Sequence, residues 1–229
     1  MSSSDESPEY PSVKKSDSSV IYMPQLNSLR TIAVGFVLIE HWLPERTWLK
    51  LIPFGMLGVT LFFVLSGFLI TQILLNNLKV SHEKNISISH LIKQFYIRRT
   101  LRIFPIYYIT IFVLFILNIQ NIRSIFSWFF FYVSNIYFYI NSEWAGPLSH
   151  FWTLAVEEQF YIIWPVIILF IPKKHLLKAI GGIILIGPVS RILLYLISSR
   201  SDTAVTFIHV LTPACMDCFG FGALLAFCR

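Results

Sequence analysis

From Phe54 to Leu75 the chain runs through twenty-two residues, FGMLGVTLFFVLSGFLITQILL, without one charged side chain. A helix of about 20 apolar residues crosses the hydrocarbon core of a bilayer, so this run restricts the chain to a fold built in a membrane. Other apolar stretches follow the same pattern: Leu26 to Leu43, Ile103 to Leu117, Ile125 to Ile140, Phe151 to Phe170, Ala179 to Ile197, and a Gly-rich run from Phe219 to Phe227. Hydrophobic residues make up 55% of the 229 and charged residues only 13%, beyond what a soluble domain carries. The expected fold is all-α, a polytopic transmembrane helix bundle with about six to seven apolar segments, over residues 24–229. Residues 1–23 are Ser-rich and mixed in charge, and read as a disordered cytoplasmic tail. They lack the charged-then-apolar order of a signal peptide.

The formal charge of +6 does not point to nucleic acid, because the basic residues gather between apolar segments, where positive charge fixes topology. The richest group is Lys79, Lys84, Lys93, Arg98, Arg99 and Arg102, in a polar loop over Asn76–Gln94 and the run after it. It is expected to face the cytoplasm together with the N-terminus, in a multi-pass protein of a bacterial inner membrane. A second group, Lys173, Lys174 and Lys178, obeys the same rule only if the aromatic run Ile125 to Ile140 is re-entrant or interfacial; a full span there would place these lysines outside. Cys215, Cys218 and Cys228 form no disulfide framework, and the C-x-x-C pair has no second pair to complete a metal site. No metal and no permanently bound cofactor are expected.

Four clusters carry chemistry. The first segment holds Arg30, Glu40 and His41, and an ionisable group inside a membrane is by default functional. Arg30 and His41 stand eleven positions apart, just over three helical turns, so they share nearly one face about 16 Å apart along the axis. A histidine is the side chain suited to take a proton from a hydroxyl near neutral pH. Glu40 diverges from His41 by about 100° and is a poor orienting partner; a carboxylate from another helix is a better one. Arg99 and Arg102 are three apart, neighbours on one face, and paired guanidiniums suit phosphate; the plainer alternative is a topology signal touching anionic lipid. Glu157 and Glu158 open a strongly apolar run, one expected to serve the helix start, with Thr153 as a cap, and the other to face inward. Arg191 lies alone in an apolar span, either paired with Glu157, Glu158 or Asp217, or binding a ligand. Gly58, Ser66 and Gly67 would let a second helix approach the Phe54 segment closely.

Five of these stretches together resemble one family, the type-3 membrane acyltransferases. LNSLRTIAVGFVLIEH (26–41) is similar to its opening helix, and FFVLSGFLIT (62–71) to its second. RRTLRIFPIYY (98–108) resembles its Arg-x-x-Arg element with an Ile-x-Pro helix start, FWTLAVEEQFYIIWP (151–165) its most specific signature, and MDCFGFGALLA (216–226) its Asp-then-Gly-rich motif. Asn27 and Ser28 stand where the family usually has Asp and Gly, and its domain continues for several more helices, so the chain is expected to be incomplete at its C-terminal side. The resemblance implies an O-acyltransferase that moves an acyl group, often acetyl, from cytoplasmic acyl-coenzyme A to a hydroxyl of an extracytoplasmic glycan or lipid-linked sugar. It implies His41 as base, Glu157 or Glu158 orienting it or offsetting its charge, and Arg30, Arg99 and Arg102 holding the donor's phosphates. Two other readings remain: a non-catalytic acyl-donor conduit, and a small-molecule or lipid transporter, the latter weakened because no internal repeat is visible.

Overall fold

The structure is a computed structural model and describes residues 24–42, 52–198 and 202–229. The expected tail over 1–23 and most of the loop expected between Pro44 and Pro53 lie outside the described residues. The helices in chain order are α1 (Pro24–Trp42), α2 (Phe54–Lys84), α3 (Ile88–Leu117), α4 (Ile122–Phe130), α5 (Ser134–Asn141), α6 (Phe151–Phe170), α7 (Lys173–Ile197), α8 (Asp202–Phe207) and α9 (Met216–Phe227), with short 3-10 turns before α4, α6 and α9. No strand occurs among the described residues, and the fold is an all-α helix bundle.

Among the described residues four stretches are long and apolar enough to cross a bilayer: α2, α3, Gly146–Phe170 and α7; the stretch Thr212–Phe227, which contains α9, is apolar but shorter. The expected first span is helical, as α1, but is not one of the four, because Gln25, Asn27, Ser28, Arg30, Glu40 and His41 dilute its nineteen residues. The polar loop expected over Asn76–Gln94 is largely helix instead. α2 continues to Lys84, Asn85 ends it in the left-handed region at φ 52°, and α3 begins at Ile88. The helix expected to start at about Ile103 therefore begins about four turns earlier, at Ile88, and runs through Pro105. Proline is tolerated inside membrane helices because neighbouring groups satisfy what it frees.

The side-chain register fixes how the helices run. Tyr96 Oη donates to the Ile162 carbonyl at 2.7 Å, Arg99 faces Glu158, and the Tyr107 and Phe151 rings lie 5.5 Å apart, so α3 and α6 are antiparallel. Ser66 meets Glu157 and Thr71 meets Trp164, so α2 and α6 are parallel. The N-terminal end of α3, with Lys93, thus lies at the same end of the bundle as Lys173 and Lys174.

Close approach follows the small residues. A Cβ on Gly58 would stand 2.6 Å from the Ala33 carbonyl oxygen of α1, and one on Gly67 would run into the Phe219 carbonyl of α9. Gly222 of α9 meets the Val64 carbonyl of α2 in the same way. Ser66, beside Gly67, instead spends its hydroxyl on Glu157. Glu40 turns to α2 as well: the Gly55 amide donates to its Oε2 at 3.4 Å, so this carboxylate serves the start of a helix whose N-cap, Pro53, has no side chain to offer.

The aromatic run Ile125 to Ile140 does not form a span. It breaks between α4 and α5, nine and eight residues long, each far short of a bilayer's thickness. Tyr132, at φ 55°, occupies the left-handed position just past the end of α4. Val133 N–H closes onto the Trp128 carbonyl at 2.9 Å and Tyr132 N–H onto Phe129 at 3.0 Å, the pattern usually built with glycine. A non-glycine residue there costs about 1–2 kcal/mol. Stacking of Tyr132 on Tyr107, with centroids 4.0 Å apart, and on Phe104 at 5.5 Å offsets that cost. Backbone groups freed at the break are taken up by side chains. Tyr107 and Tyr108 hydroxyls donate to the Phe129 and Phe130 carbonyls at 2.7 and 3.1 Å, and Gln159 Nε2 donates to the Tyr132 carbonyl at 2.8 Å. This satisfaction by buried partners is what lets irregular backbone exist at membrane depth.

Candidate active site

Arg99 is the hub. It points from α3 into the bundle, where its Nη2 lies 4.0 Å from Glu157 Oε2 and its Nε 3.8 Å from Glu158 Oε1. Its guanidinium carbon sits 3.4 Å from the centre of the Tyr161 ring, a cation–π stack. Both glutamates therefore face inward, and neither serves the start of α6, which begins nearly two turns earlier. Thr153 does not cap that helix either; its hydroxyl donates to the His150 carbonyl at 2.8 Å. Ser66 Oγ donates to Glu157 Oε1 at 2.8 Å, bringing α2 into the cluster. One arginine between two carboxylates leaves a negative charge over, and Arg30 of α1 lies within electrostatic range of Glu157 to balance it.

Arg102 parts from Arg99. It is exposed, as is Arg98, and neither has a partner among the described residues. The boundary between bundle interior and surface passes between the two arginines of the Arg-x-x-Arg element. One guanidinium is committed to the carboxylates; the other is open to an incoming anion.

His41 is exposed near the end of α1. The glutamates are tied to Arg99 and Ser66 rather than to this imidazole. The group that comes into electrostatic range of His41 is His150, immediately before α6. Arg30 and His41 thus both look towards α6, the first at the level of the glutamates and the second at its start. Helical rise puts about 16 Å between them.

Beside the hub, α3, the α4–α5 break and α6 enclose a cavity of about 150 Å³, lined by Arg99, Thr100, Tyr132, Glu158, Gln159 and Tyr161 among others. Its far wall is held by a buried polar knot. Gln159 Nε2 donates to Asn135 Oδ1 at 3.0 Å, Asn135 Nδ2 donates to Thr212 Oγ1 at 3.1 Å, and Thr212 in turn donates to Gln159 Oε1.

Arg191 resolves as a paired charge. Its Nη1 and Nη2 meet Asp217 Oδ1 and Oδ2 at 3.2 and 2.5 Å, and Nη1 also donates to the Ala214 carbonyl at 2.6 Å. The fork joins α7 to α9. No group of three or more His, Cys, Asp or Glu is arranged to hold a metal ion among the described residues.

Ser66, Tyr132, His150, Gln159 and Tyr161 join the site without having been singled out for it in the sequence. Tyr161 carried a signal: it stands three and four positions after the glutamates, on their helical face. Tyr132 carried none, since an aromatic residue in an aromatic run does not announce a left-handed turn.

The chain is 38% identical to the peptidoglycan O-acetyltransferase OatA of Listeria monocytogenes over 76% of its own length and 29% of that protein's. It is 35% identical to the putative peptidoglycan O-acetyltransferase YrhL of Bacillus subtilis, over 63% of this chain and 23% of the relative. It is 32% identical to the O-acetyltransferase OatA of Staphylococcus aureus, over 66% and 25% respectively. The chain thus spans less than a third of the length of these relatives. No solved structure matches it. A family model described as an acyltransferase domain matches residues 23–227, and the chain belongs to that acyltransferase family.

Proposed function

We propose that the protein is a membrane O-acyltransferase that moves an acyl group, acetyl in the simplest case, from cytoplasmic acyl-coenzyme A to a hydroxyl of an extracytoplasmic glycan. The observation that carries this reading is the two-level arrangement along α1 and α6. Arg30 lies at the level of the glutamates and an exposed imidazole about 16 Å further along α1, about the length of an extended pantetheine arm. The names of the relatives, peptidoglycan O-acetyltransferases among them, support a cell-wall glycan as acceptor.

In this reading Arg102, exposed and uncommitted, takes the donor's phosphates, bidentately as guanidinium does. Arg99 and Arg30, set against Glu157 and Glu158, keep the way inward free of net negative charge. The thioester reaches the level of His41. As the acceptor hydroxyl attacks the thioester carbonyl, His41 removes its proton. A new C–O bond forms, the carbonyl oxygen carries the negative charge until the C–S bond breaks, and the departing thiolate takes the proton back from the imidazolium. The basic end faces the cytoplasm by the positive-inside rule, which puts the N-terminus there as well. The glutamates act on the arginines rather than on His41: they keep Arg99 and Arg30 charged and aimed.

The test is transfer of radiolabel from acetyl-coenzyme A to a peptidoglycan acceptor by the purified protein. His41→Ala is expected to lower transfer by about 10²–10⁴-fold, the usual contribution of a positioned general base, while leaving donor binding intact. Transfer unaffected by that substitution would remove His41 from the chemistry. Donor binding without transfer by the wild-type chain would favour the conduit reading.

A further inference from the structure

Arg98 is exposed on α3, as is Arg102, and neither meets a partner among the described residues. Four residues separate them, so their side chains leave successive turns of one helical face, while Arg99 points into the bundle. No Asp or Glu lies on α3 to neutralise them. The two carboxylates that α6 turns towards α3 are already engaged by Arg99.

Depth makes this pair unusual. Arg99 faces Glu157, and Glu157 accepts from Ser66, which stands twelve residues after Phe54 and nine before Leu75 in the uncharged run of α2. The level of Arg99 is therefore about 18 Å from one end of that run and about 14 Å from the other. Arg98 lies only about 1.5 Å nearer the lysine end, and Arg102 about 4.5 Å further from it. Both are deeper than the three-carbon stem of an arginine spans, so neither regains the headgroups by snorkelling. A charge at such depth faces a water-filled path or a partner, not lipid. The surface of α3 supplies the path. Gln94 and His90 continue the row at spacings of four towards the lysine end, both exposed, with their Nε2 atoms 2.7 Å apart. Past Arg102 the row turns apolar at Ile106, which is 75% exposed. A polar ridge about 18 Å long thus opens at the lysine end and stops at two uncompensated guanidiniums.

We propose that Arg98 and Arg102 form a clamp for a diphosphate that enters along this ridge, each guanidinium taking the oxygens of one phosphoryl group. In naming the diphosphate as that of the acyl donor, coenzyme A, the inference rests on the acyltransferase reading. A phospholipid headgroup offers the same phosphate chemistry from a second source, but at the surface of the bilayer rather than at this depth.

The experiment measures binding, without requiring turnover, to the full chain in phosphatidylcholine discs. Coenzyme A, ADP, AMP and pantetheine are titrated by calorimetry against wild type, Arg98→Ala and Arg98→Lys. Arg98→Ala is expected to weaken coenzyme A and ADP about ten- to a hundredfold, the share of a charge-assisted contact, with pantetheine unchanged. The loss for AMP is expected to be smaller, because one phosphoryl group already fits Arg102. Arg98→Lys is expected to recover part of the loss, and the melting temperature to stay put, since the side chain is exposed. Arg98→Gln serves if Arg98→Ala does not fold. Coenzyme A and ADP bound by Arg98→Ala as by wild type overturn the clamp; a loss seen only in Arg102→Ala then leaves the donor reading standing on a single arginine. Discs that also contain phosphatidylglycerol test the other source. If wild type binds no ADP and instead retains phosphatidylglycerol through Arg98, the pair is a lipid contact and the proposal falls. If coenzyme A binding depends on Arg98 and no acetyl label reaches a glycan, the clamp stands and the acyltransferase reading falls.

Discussion

Removing the Arg99 guanidinium would leave Glu157 and Glu158 side by side in the bundle with no cation in contact. Breaking a buried ion pair by deleting one partner costs about 3–5 kcal/mol, because the remaining charge stays buried. Arg99→Ala is therefore expected to lower the melting temperature in detergent sharply, and adding Glu157→Gln with Glu158→Gln is expected to restore part of the loss. A melting temperature indifferent to Arg99→Ala would mean the cluster is not under electrostatic load. Arg102 belongs to the opposite class, since an exposed side chain without a protein partner is removed at little structural cost. The sequence made the two arginines equivalent neighbours, because spacing of three places them on one helical face. What separates them is the glutamate pair of α6, far along the chain, and helical spacing within α3 carries no information about that.

At the scale of elements, α4 and α5 form a broken helix whose freed carbonyls depend on side chains of other helices. Tyr107→Phe and Tyr108→Phe each remove one donor to the last turn of α4. The Phe129 carbonyl keeps the Tyr132 N–H, so what is lost is one hydrogen bond of about 0.5–1.5 kcal/mol. Faster amide exchange over residues 127–133 in either variant, with α2 and α9 unchanged, is the expected result; protection equal to wild type would show that the hydroxyls are not what holds the break. The sequence identified the helices well, since α2, α3, α6, α7 and α9 each contain an apolar run that length and composition mark. It left the Ile125–Ile140 run open, because periodicity cannot tell a spanning helix from two short ones when every residue is apolar or aromatic. It misread Asn76–Gln94 as a loop, because polar residues mark the exit from a membrane and not the end of a helix.

For the whole molecule, the break in α4–α5 and the antiparallel register of α3 and α6 put the two basic clusters at one end. With the three native cysteines replaced, Lys84→Cys and Lys174→Cys are expected to react with an impermeant thiol reagent only from the cytoplasmic face of oriented vesicles, and Glu143→Cys only from the other face. Lys84 and Lys174 labelling from opposite faces would require α4–α5 to cross the membrane. The end-to-end polarity runs from the basic end to the imidazole at the end of α1, where the proposed proton transfer takes place. In the sequence that polarity was present only along α1, as Arg30 and His41 on one face. The packing of α6 extended it, by placing Glu157 near one and His150 near the other.

The central claim is that donor binding and proton transfer belong to different side chains, Arg102 and His41. Coenzyme A affinity in Arg102→Ala and His41→Ala, beside the wild-type chain, tests it most directly. A lost charge-assisted hydrogen bond is worth about 1.5–3 kcal/mol, so Arg102→Ala is expected to bind ten to a hundredfold more weakly at unchanged melting temperature, and His41→Ala to bind as the wild type does. Equal affinity in wild type and Arg102→Ala, or an affinity lost with His41 instead, would contradict the account.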